Sequence, residues 1–312
     1  MKKQVNICFA TDNNYAQHTA VAMTSILKNT AHPSNIRFYI MGDDIGDENC
    51  KKLKLTVEQF GSTVQFIKLS NENLAQGFVS GQISRTCYFR LDIPNVLSKE
   101  IKKIIYLDGD LLVYDDIINM WNTDMQGKPL AAVCDLGIMA SKRKRREKLE
   151  KVGLATKEPY FNSGVMIMDL ELWRQEHYAE KVIKLALENN FPNHDQDALN
   201  KIFSGNWFQL PLNWNVIPPV FELLPKILLN SAYREQAIKA RENPAIFHYA
   251  GGYKPWEYKI YQKFNEQYYK YLQFTAFKKV IMPQFDSRRK HRSIRRQVMR
   301  LKLADFWQKL LK

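Results

Sequence analysis

The run Lys103–Val113, KIIYLDGDLLV, constrains this chain more than any other segment. Asp108 and Asp110 stand one residue apart inside a stretch that otherwise reads as a buried strand. Taking an ionised carboxylate out of water is costly unless something pairs with it. Only Gly109 separates the two, so little side chain stands between them and a ligand. A hard divalent cation, gripped by both carboxylates and held in turn against phosphate oxygens, is the economical reason to keep such a pair. The segment points to metal-dependent chemistry on a phosphorylated ligand.

Two other readings compete. The carboxylates could be turn residues that cap a following helix. A phosphatase of the haloacid-dehalogenase type also ends an apolar strand in Asp-x-Asp, with the first Asp as nucleophile. That motif usually follows the first strand of its domain. Here a long α/β stretch comes first, and the later Lys and paired-Asp signals of such phosphatases are not evident.

Strand-like and helical patterns alternate in the first half. Val5–Ala10, Ile36–Met41 and Thr63–Leu69 read as strands, His18–Lys28 and Asp47–Phe60 as helices. This order predicts an α/β fold with a mostly parallel sheet and helices on both faces. Lys103–Leu107, Leu130–Cys134 and Val165–Asp169 add buried strands. Further on, Leu172–Asn189, Asp195–Phe203 and Trp256–Phe277 read as helical, and Trp207–Leu210 and Ala245–Tyr249 as strands. Ligands of open α/β sheets bind beyond the carboxyl ends of strands. The segments after Val5–Ala10, after Lys103–Leu107 and at Ala245–Tyr249 bring Asp12 and Asn14, Asp108 and Asp110, and His248 to such ends, and these are expected to converge.

Three more segments carry chemistry. Phe247–Trp256 reads FHYAGGYKPW. Its His248 could complete a metal shell, and a nitrogen ligand suits Mn²⁺ better than Mg²⁺. The Gly251–Gly252 pair would let backbone N–H groups approach a phosphate, with Lys254 as a point charge. The plain alternative is a hydrogen-bonded histidine before a glycine turn. Phe161–Val165 (FNSGV) and His194–Asp197 (HDQD) offer amides and carboxylates, the usual readers of sugar hydroxyls. Asp195 could equally be a helix N-cap.

Together, in this order and over nearly the whole chain, these segments resemble glycosyltransferase family eight, the retaining hexosyltransferases with a GT-A fold. Members include bacterial galactosyl- and glucosyltransferases that extend the outer core of lipopolysaccharide or lipooligosaccharide. The resemblance implies a UDP-hexose donor and Mn²⁺ or Mg²⁺ held by Asp108, Asp110 and His248. It places Ala10, Thr11, Asp12, Asn14 and Tyr15 along the nucleotide, with Asp12 and Asn14 on uracil and ribose. Arg90, in the stretch Thr86–Leu91 that looks like the family's Tyr-x-Arg segment, would face the donor. Gly109 lies with the metal pair, and Gly251 and Lys254 would touch the diphosphate. Asp135 and Asn162 would read the donor sugar, and Asp195 and Gln196 fall at the sugar-binding and catalytic position. Gly109 departs from relatives, which often carry an apolar residue there. No carboxylate is securely placed as a covalent nucleophile. Retention then implies same-face attack, with the leaving phosphate accepting the acceptor's proton and Gln196 or Asp195 supporting the cationic sugar.

The net charge of +14 is concentrated. The segment 286–312 carries +8 and 141–151 carries +5, so the remaining body is nearly neutral. The chain divides into an expected catalytic domain, 1–282, and a basic tail, 283–312. In the tail Ile294, Val298 and Leu301, then Leu303, Phe306, Trp307 and Leu310, follow an Arg/Lys cluster. An amphipathic helix on an anionic membrane surface fits this pattern; a solvated extension is the plain alternative. Nucleic acid is not expected, because the charge lies apart from the predicted catalytic face. The patch at 142–146 reads either as a loop meeting phosphates or as a solvated helix face.

Four scattered cysteines form no Cys-x-x-Cys, so no thiol zinc site or disulfide framework is visible. The opening apolar run is too short for a signal peptide, and none approaches a membrane span. The expected location is the cytoplasm, peripheral on the cytoplasmic face of a bacterial inner membrane, near a lipid-linked oligosaccharide acceptor.

Overall fold

A computed structural model describes residues 4–42, 44–68, 86–222, 231–252, 254–256, 264–278, 299, 302 and 303. The 282/283 boundary and nearly all of the tail fall outside them.

The strands are β1 (Val5–Ala10), β2 (Ile36–Gly42), β3 (Thr63–Lys68), β4 (Lys103–Leu107), β5 (Leu111–Val113), β6 (Leu130–Cys134), β7 (Phe161–Asp169), β8 (Phe208–Gln209) and β9 (Ile246–His248). Seven form one sheet in the order β3-β2-β1-β4-β7-β6-β8. β1, β2, β3 and β4 run parallel, while β7 is antiparallel to both β4 and β6. Chain order reverses direction across the sheet at β1 and β4, the switch point where open α/β sheets bind ligands. β4 and β6 are near-continuous apolar runs, as strands covered on both faces must be. The edge strand β3 keeps every residue at least partly accessible.

Two irregularities build the site. The first is in β7. Its register against β6 passes from Val133↔Asn162 to Ala132↔Met166, so Ser163, Gly164 and Val165 bulge out of the β6 ladder. A bulge re-aims the chain, and here the Gly164 carbonyl accepts the Asp108 N–H at 2.8 Å. The second is the return of the late strand. β9 does not join the main sheet but pairs antiparallel with β5, in a register that sets Leu111 opposite His248. Because β5 follows Asp110 directly, this pairing delivers the imidazole to the carboxylates. The Tyr249 N–H also donates to the Asp110 carbonyl at 2.8 Å.

Most expected elements form, with differences at the C-terminal side. The helix expected over 172–189 is two, Leu170–Gln175 and Tyr178–Glu188, broken where His177 adopts a left-handed φ of +52°. Of the helix expected over 256–277, the described part is Asn265–Leu272. The patch at 142–146 opens a helix, Lys142–Val152, capped by the Ser141 side chain and closed by left-handed Gly153. Lys142, Arg143, Lys144 and Arg146 are exposed, so the patch is the solvated helix face rather than a loop, while Lys148, Leu149 and Val152 form the helix's buried side.

Candidate active site

Asp108 Oδ2, Asp110 Oδ1 and His248 Nε2 converge. His248 Nε2 lies 3.2 Å from Asp110 Oδ1 and 3.7 Å from Asp108 Oδ2. The three ligand atoms fall within 4.8 Å of one another. Neither carboxylate caps a helix, since Asp110 leads into β5 and the next helix, Ile117–Trp121, is capped by Asp116. Two carboxylate oxygens and one imidazole nitrogen, facing a common point beside a glycine turn, are a donor set that fits Mn²⁺ or Mg²⁺.

The surroundings hold these groups. Asp108 Oδ1 accepts from Tyr106 Oη at 2.9 Å and faces the Arg90 guanidinium at 3.1 Å. Asp110 Oδ2 is ion-paired with Lys254, which also donates to the Tyr249 carbonyl at 2.6 Å. Burial by itself would raise the Asp110 carboxyl, but Lys254 and His248 outweigh it and hold it well below the ordinary carboxylate range. Gly109 and Gly164 are there for space. A Cβ on Gly109 would sit 2.7 Å from Thr19 Oγ1, which explains its departure from an apolar middle residue. A Cβ on Gly164 would lie 2.4 Å from His248 Cε1 and 2.6 Å from Asp108 Oδ2.

The residues expected on the nucleotide lie at the end of β1. Asp12 Oδ1 accepts the N–H groups of Asn14 and Tyr15 at 2.9 and 2.8 Å, a turn that starts the helix Ala16–Lys28. Asn14 is exposed and Asp12 partly so, while Ala10 and Thr11 are buried. Thr19 donates to Thr11 and packs on Gly109, which ties this turn to the metal pair. Gly251 takes φ +96° in an exposed loop, a conformation that favours glycine. The sequence reading missed an aromatic group here. His18 stacks on Trp256 with centroids 3.6 Å apart, and Tyr15 meets both rings edge-on. Burial pushes the His18 imidazole down to about 3, so it is neutral.

The residues expected on the sugar form a second cluster. Gln196 Nε2 donates to Asp135 Oδ2 at 3.3 Å and to Tyr160 Oη at 3.2 Å, while its Oε1 accepts from Asn162 Nδ2 at 3.2 Å and from the Ser163 N–H at 3.1 Å. Asp195 is the second residue of the helix His194–Ile202, not its N-cap, which is Asn193. Arg90 Nε stands 3.1 Å from Asp195 Oδ2 without hydrogen-bond alignment, leaving that buried oxygen with no hydrogen-bond donor among the described residues. Arg90 therefore bridges the two clusters, through Asp108 on one side and Asp195 on the other. Burial raises both Asp135, against hydrogen bonds from Gln196 and Asn162, and Asp195, against Arg90.

Two further features escaped the sequence reading. Asp197 is fully buried and takes Lys148 Nζ at 2.5 Å and Tyr160 Oη at 2.5 Å, which rivets the basic helix to the wall behind Gln196. Lys148 falls on the apolar side of that helix with Leu149 and Val152, the one signal visible beforehand. Asn215 Oδ1 stands 3.0 Å from His248 Nδ1, and nothing in its local sequence marks it out.

Comparisons with known proteins give the family and the fold. The sequence profile described as Glycosyl transferase family 8 matches residues 6–260. General stress protein A of Bacillus subtilis is 33% identical, covering 89% of this chain and 96% of its own. Lipopolysaccharide 1,2-glucosyltransferase of Escherichia coli is 29% identical, covering 85% and 76%. Among solved structures, the galactosyltransferase LgtC in complex with donor and acceptor sugar analogues superposes with a TM-score of 0.75 at 27% identity, covering 87% of this chain and 96% of that one. With a family profile spanning most of its length and a GT-A fold around the site, the chain belongs to glycosyltransferase family 8.

Proposed function

We propose that this glycosyltransferase moves a hexose, galactose or glucose, from a UDP-hexose to a sugar of a lipopolysaccharide or lipooligosaccharide core, with retention of configuration and with a divalent cation, manganese or magnesium, bound by Asp108, Asp110 and His248. The observation that carries the reading is the convergence of those three ligand atoms. The exposed Gly251 turn and Lys254 next to it suit a pyrophosphate. The core-sugar acceptor draws its support from the Escherichia coli relative, a lipopolysaccharide 1,2-glucosyltransferase.

The bound cation would supply Lewis-acid stabilisation of the charge that builds on departing UDP. The chain's own residues do the rest. Asp12 and Asn14 sit where a nucleoside would lie over the β1 end. Lys254, drawn from Asp110 towards phosphate, would add positive charge. Asp135, Asn162 and Gln196 present amide and carboxylate atoms to the hexose, and the undonated oxygen of Asp195 suits a sugar hydroxyl or a developing cation. A dehalogenase-type phosphatase is disfavoured by the family profile and by an Asp-x-Asp that follows β4 rather than β1.

The tail, 283–312, is proposed to hold the enzyme on an anionic membrane. No helix among the described residues is long and apolar enough to cross one. Met299 and Leu303, described residues of this segment, are exposed.

Incubation with UDP-galactose or UDP-glucose, a core oligosaccharide and Mn²⁺ tests the reading through UDP release. Release with one donor, abolished by chelator and restored by Mn²⁺, is expected. Near-normal turnover in chelator overturns the metal assignment, and phosphate release from a phosphomonoester overturns the transferase reading.

A further inference from the structure

A backbone N–H can only donate, and that fact fixes the direction of a chain of side-chain hydrogen bonds running through this site. The Gly164 N–H reaches Asn162 Oδ1 at 3.0 Å, which identifies that atom as the oxygen. The atom of Asn215 facing the same oxygen at 2.8 Å is therefore its Nδ2. Its Oδ1 is then the atom 3.0 Å from His248 Nδ1, so Nδ1 carries the proton. In the neutral ring, His248 Nε2 then has its lone pair turned towards Asp108 Oδ2 and Asp110 Oδ1. A lone pair facing two carboxylates is an arrangement that a bound cation stabilises; without one, a second ring proton on Nε2 would serve the same contact.

The same logic runs the other way. Asn162 Nδ2 donates to Gln196 Oε1, and the Ser163 N–H fixes that atom as oxygen independently. Gln196 Nε2 is thereby turned on Asp135 and Tyr160. Two consecutive N–H groups in the β7 bulge thus orient three amides and one imidazole. Asn215 is 4% exposed and His248 3%, so water does not compete readily for these bonds.

We propose that Asn215 is a positioning residue that sets the tautomer of His248 for metal ligation, and that through Asn162 the same relay orients the Gln196 amide on the sugar side. The proposal rests on the reading that Asp108, Asp110 and His248 bind a cation, and it adds what prepares the histidine to do so. Outer hydrogen bonds to metal-binding histidines fix the ring and its tautomer, and their loss typically weakens metal binding by about ten- to a hundredfold.

Two variants separate the halves of the relay. Asn215→Ala removes both the acceptor for Nδ1–H and the donor to Asn162. Asn215→Asp keeps the acceptor but sets a second oxygen against Asn162 Oδ1. Long-range ¹⁵N–¹H correlation spectra of the metal-free protein, labelled at histidine and held at alkaline pH, report which ring nitrogen carries hydrogen, with His248→Ala assigning the signal. Wild type and Asn215→Asp are expected to show the Nδ1–H form, and Asn215→Ala to gain the Nε2–H form, which can donate to Asp110. Mn²⁺ titration in the presence of UDP is expected to show affinity about tenfold or more weaker in Asn215→Ala and little changed in Asn215→Asp, whose turnover nonetheless falls. An Nε2–H wild type, or an unchanged tautomer in Asn215→Ala, overturns the proposal. Should Asn215→Ala fail to fold, an Asn215→Asp protein that loses the Nδ1–H form overturns it as well. A tautomer that responds as stated in a wild type that binds no Mn²⁺ leaves the relay standing and overturns the cation reading instead.

Discussion

The two ends of the site surround their carboxylates differently. At the end proposed to take the cation, Asp110 is in contact with Lys254 and His248, and these neighbours outweigh burial. At the end proposed to take the sugar, Asp135 is as deeply enclosed but is held by hydrogen bonds from amides and backbone N–H groups, so burial wins and its carboxyl rises. The difference teaches how one small site serves two tasks. On the proposed reading, the first end must present negative charge to a cation, and Lys254 offsets that charge until one binds. On the same reading, the second end must offer directional acceptors to neutral hydroxyls, and there the enclosure of a carboxylate detracts from folding stability.

Breaking the first end should have the largest effect. Asp110→Ala is expected to lower turnover by about a thousandfold or more, because it removes one of the three proposed metal ligands. It should also destabilise the protein, by roughly 3–5 kcal/mol, since a buried Lys254 ammonium loses its counter-charge. Adding Lys254→Met should restore much of the melting temperature and none of the turnover. Recovery of turnover in the double variant would show that Lys254, not the cation, is what Asp110 serves.

Breaking the sugar end should be milder and separable. Gln196→Ala is expected to reduce kcat by about 10²-fold, as loss of one preorganised polar group does, while Mn²⁺ affinity changes little. An equal loss of metal affinity would mean that the two ends are not distinct.

The smallest effect sharpens the contrast most. Asp135→Asn should melt above wild type at neutral pH. The sign follows from the raised carboxyl. Its favourable contribution is complete below the unfolded pKa and is lost as pH rises through the folded one, so the wild type carries that loss at neutral pH and the amide does not. The gap should narrow as pH falls through the raised folded pKa and be closed below the ordinary carboxylate pKa. A variant that melts lower at neutral pH would show that Asp135 is adequately paired.

Where hydrogen bonding and burial are local, the chain could be read directly. The alternating strands and helices of the first half form within a residue or two of their expected ends, because apolar runs bounded by turns leave few alternatives. Asp108, Asp110 and His248 were recognisable as types of ligand, and the structure joins them. Asp135, Asn162 and Gln196 also meet as expected. The breaks came where no local rule operates. Nothing near His177 announces a left-handed residue, and β9 could as well have extended the main sheet as paired with β5. The basic run at 142–146 looked undecided because its charges hide Lys148, whose partner Asp197 is 49 residues away.

Asn215 makes the same point more sharply. It is one amide among many until the packing of β9 and the β7 bulge sets it between His248 and Asn162, which are 33 and 53 residues distant. The sequence by itself determined the α/β alternation, the acidic pair at a strand end and the family likeness, because each depends on residue type and short spacing. Tertiary structure alone decided which amide faces which ring nitrogen and which carboxylates are neutralised. Hydrogen-bond direction and desolvation depend on neighbours that only the folded chain brings together.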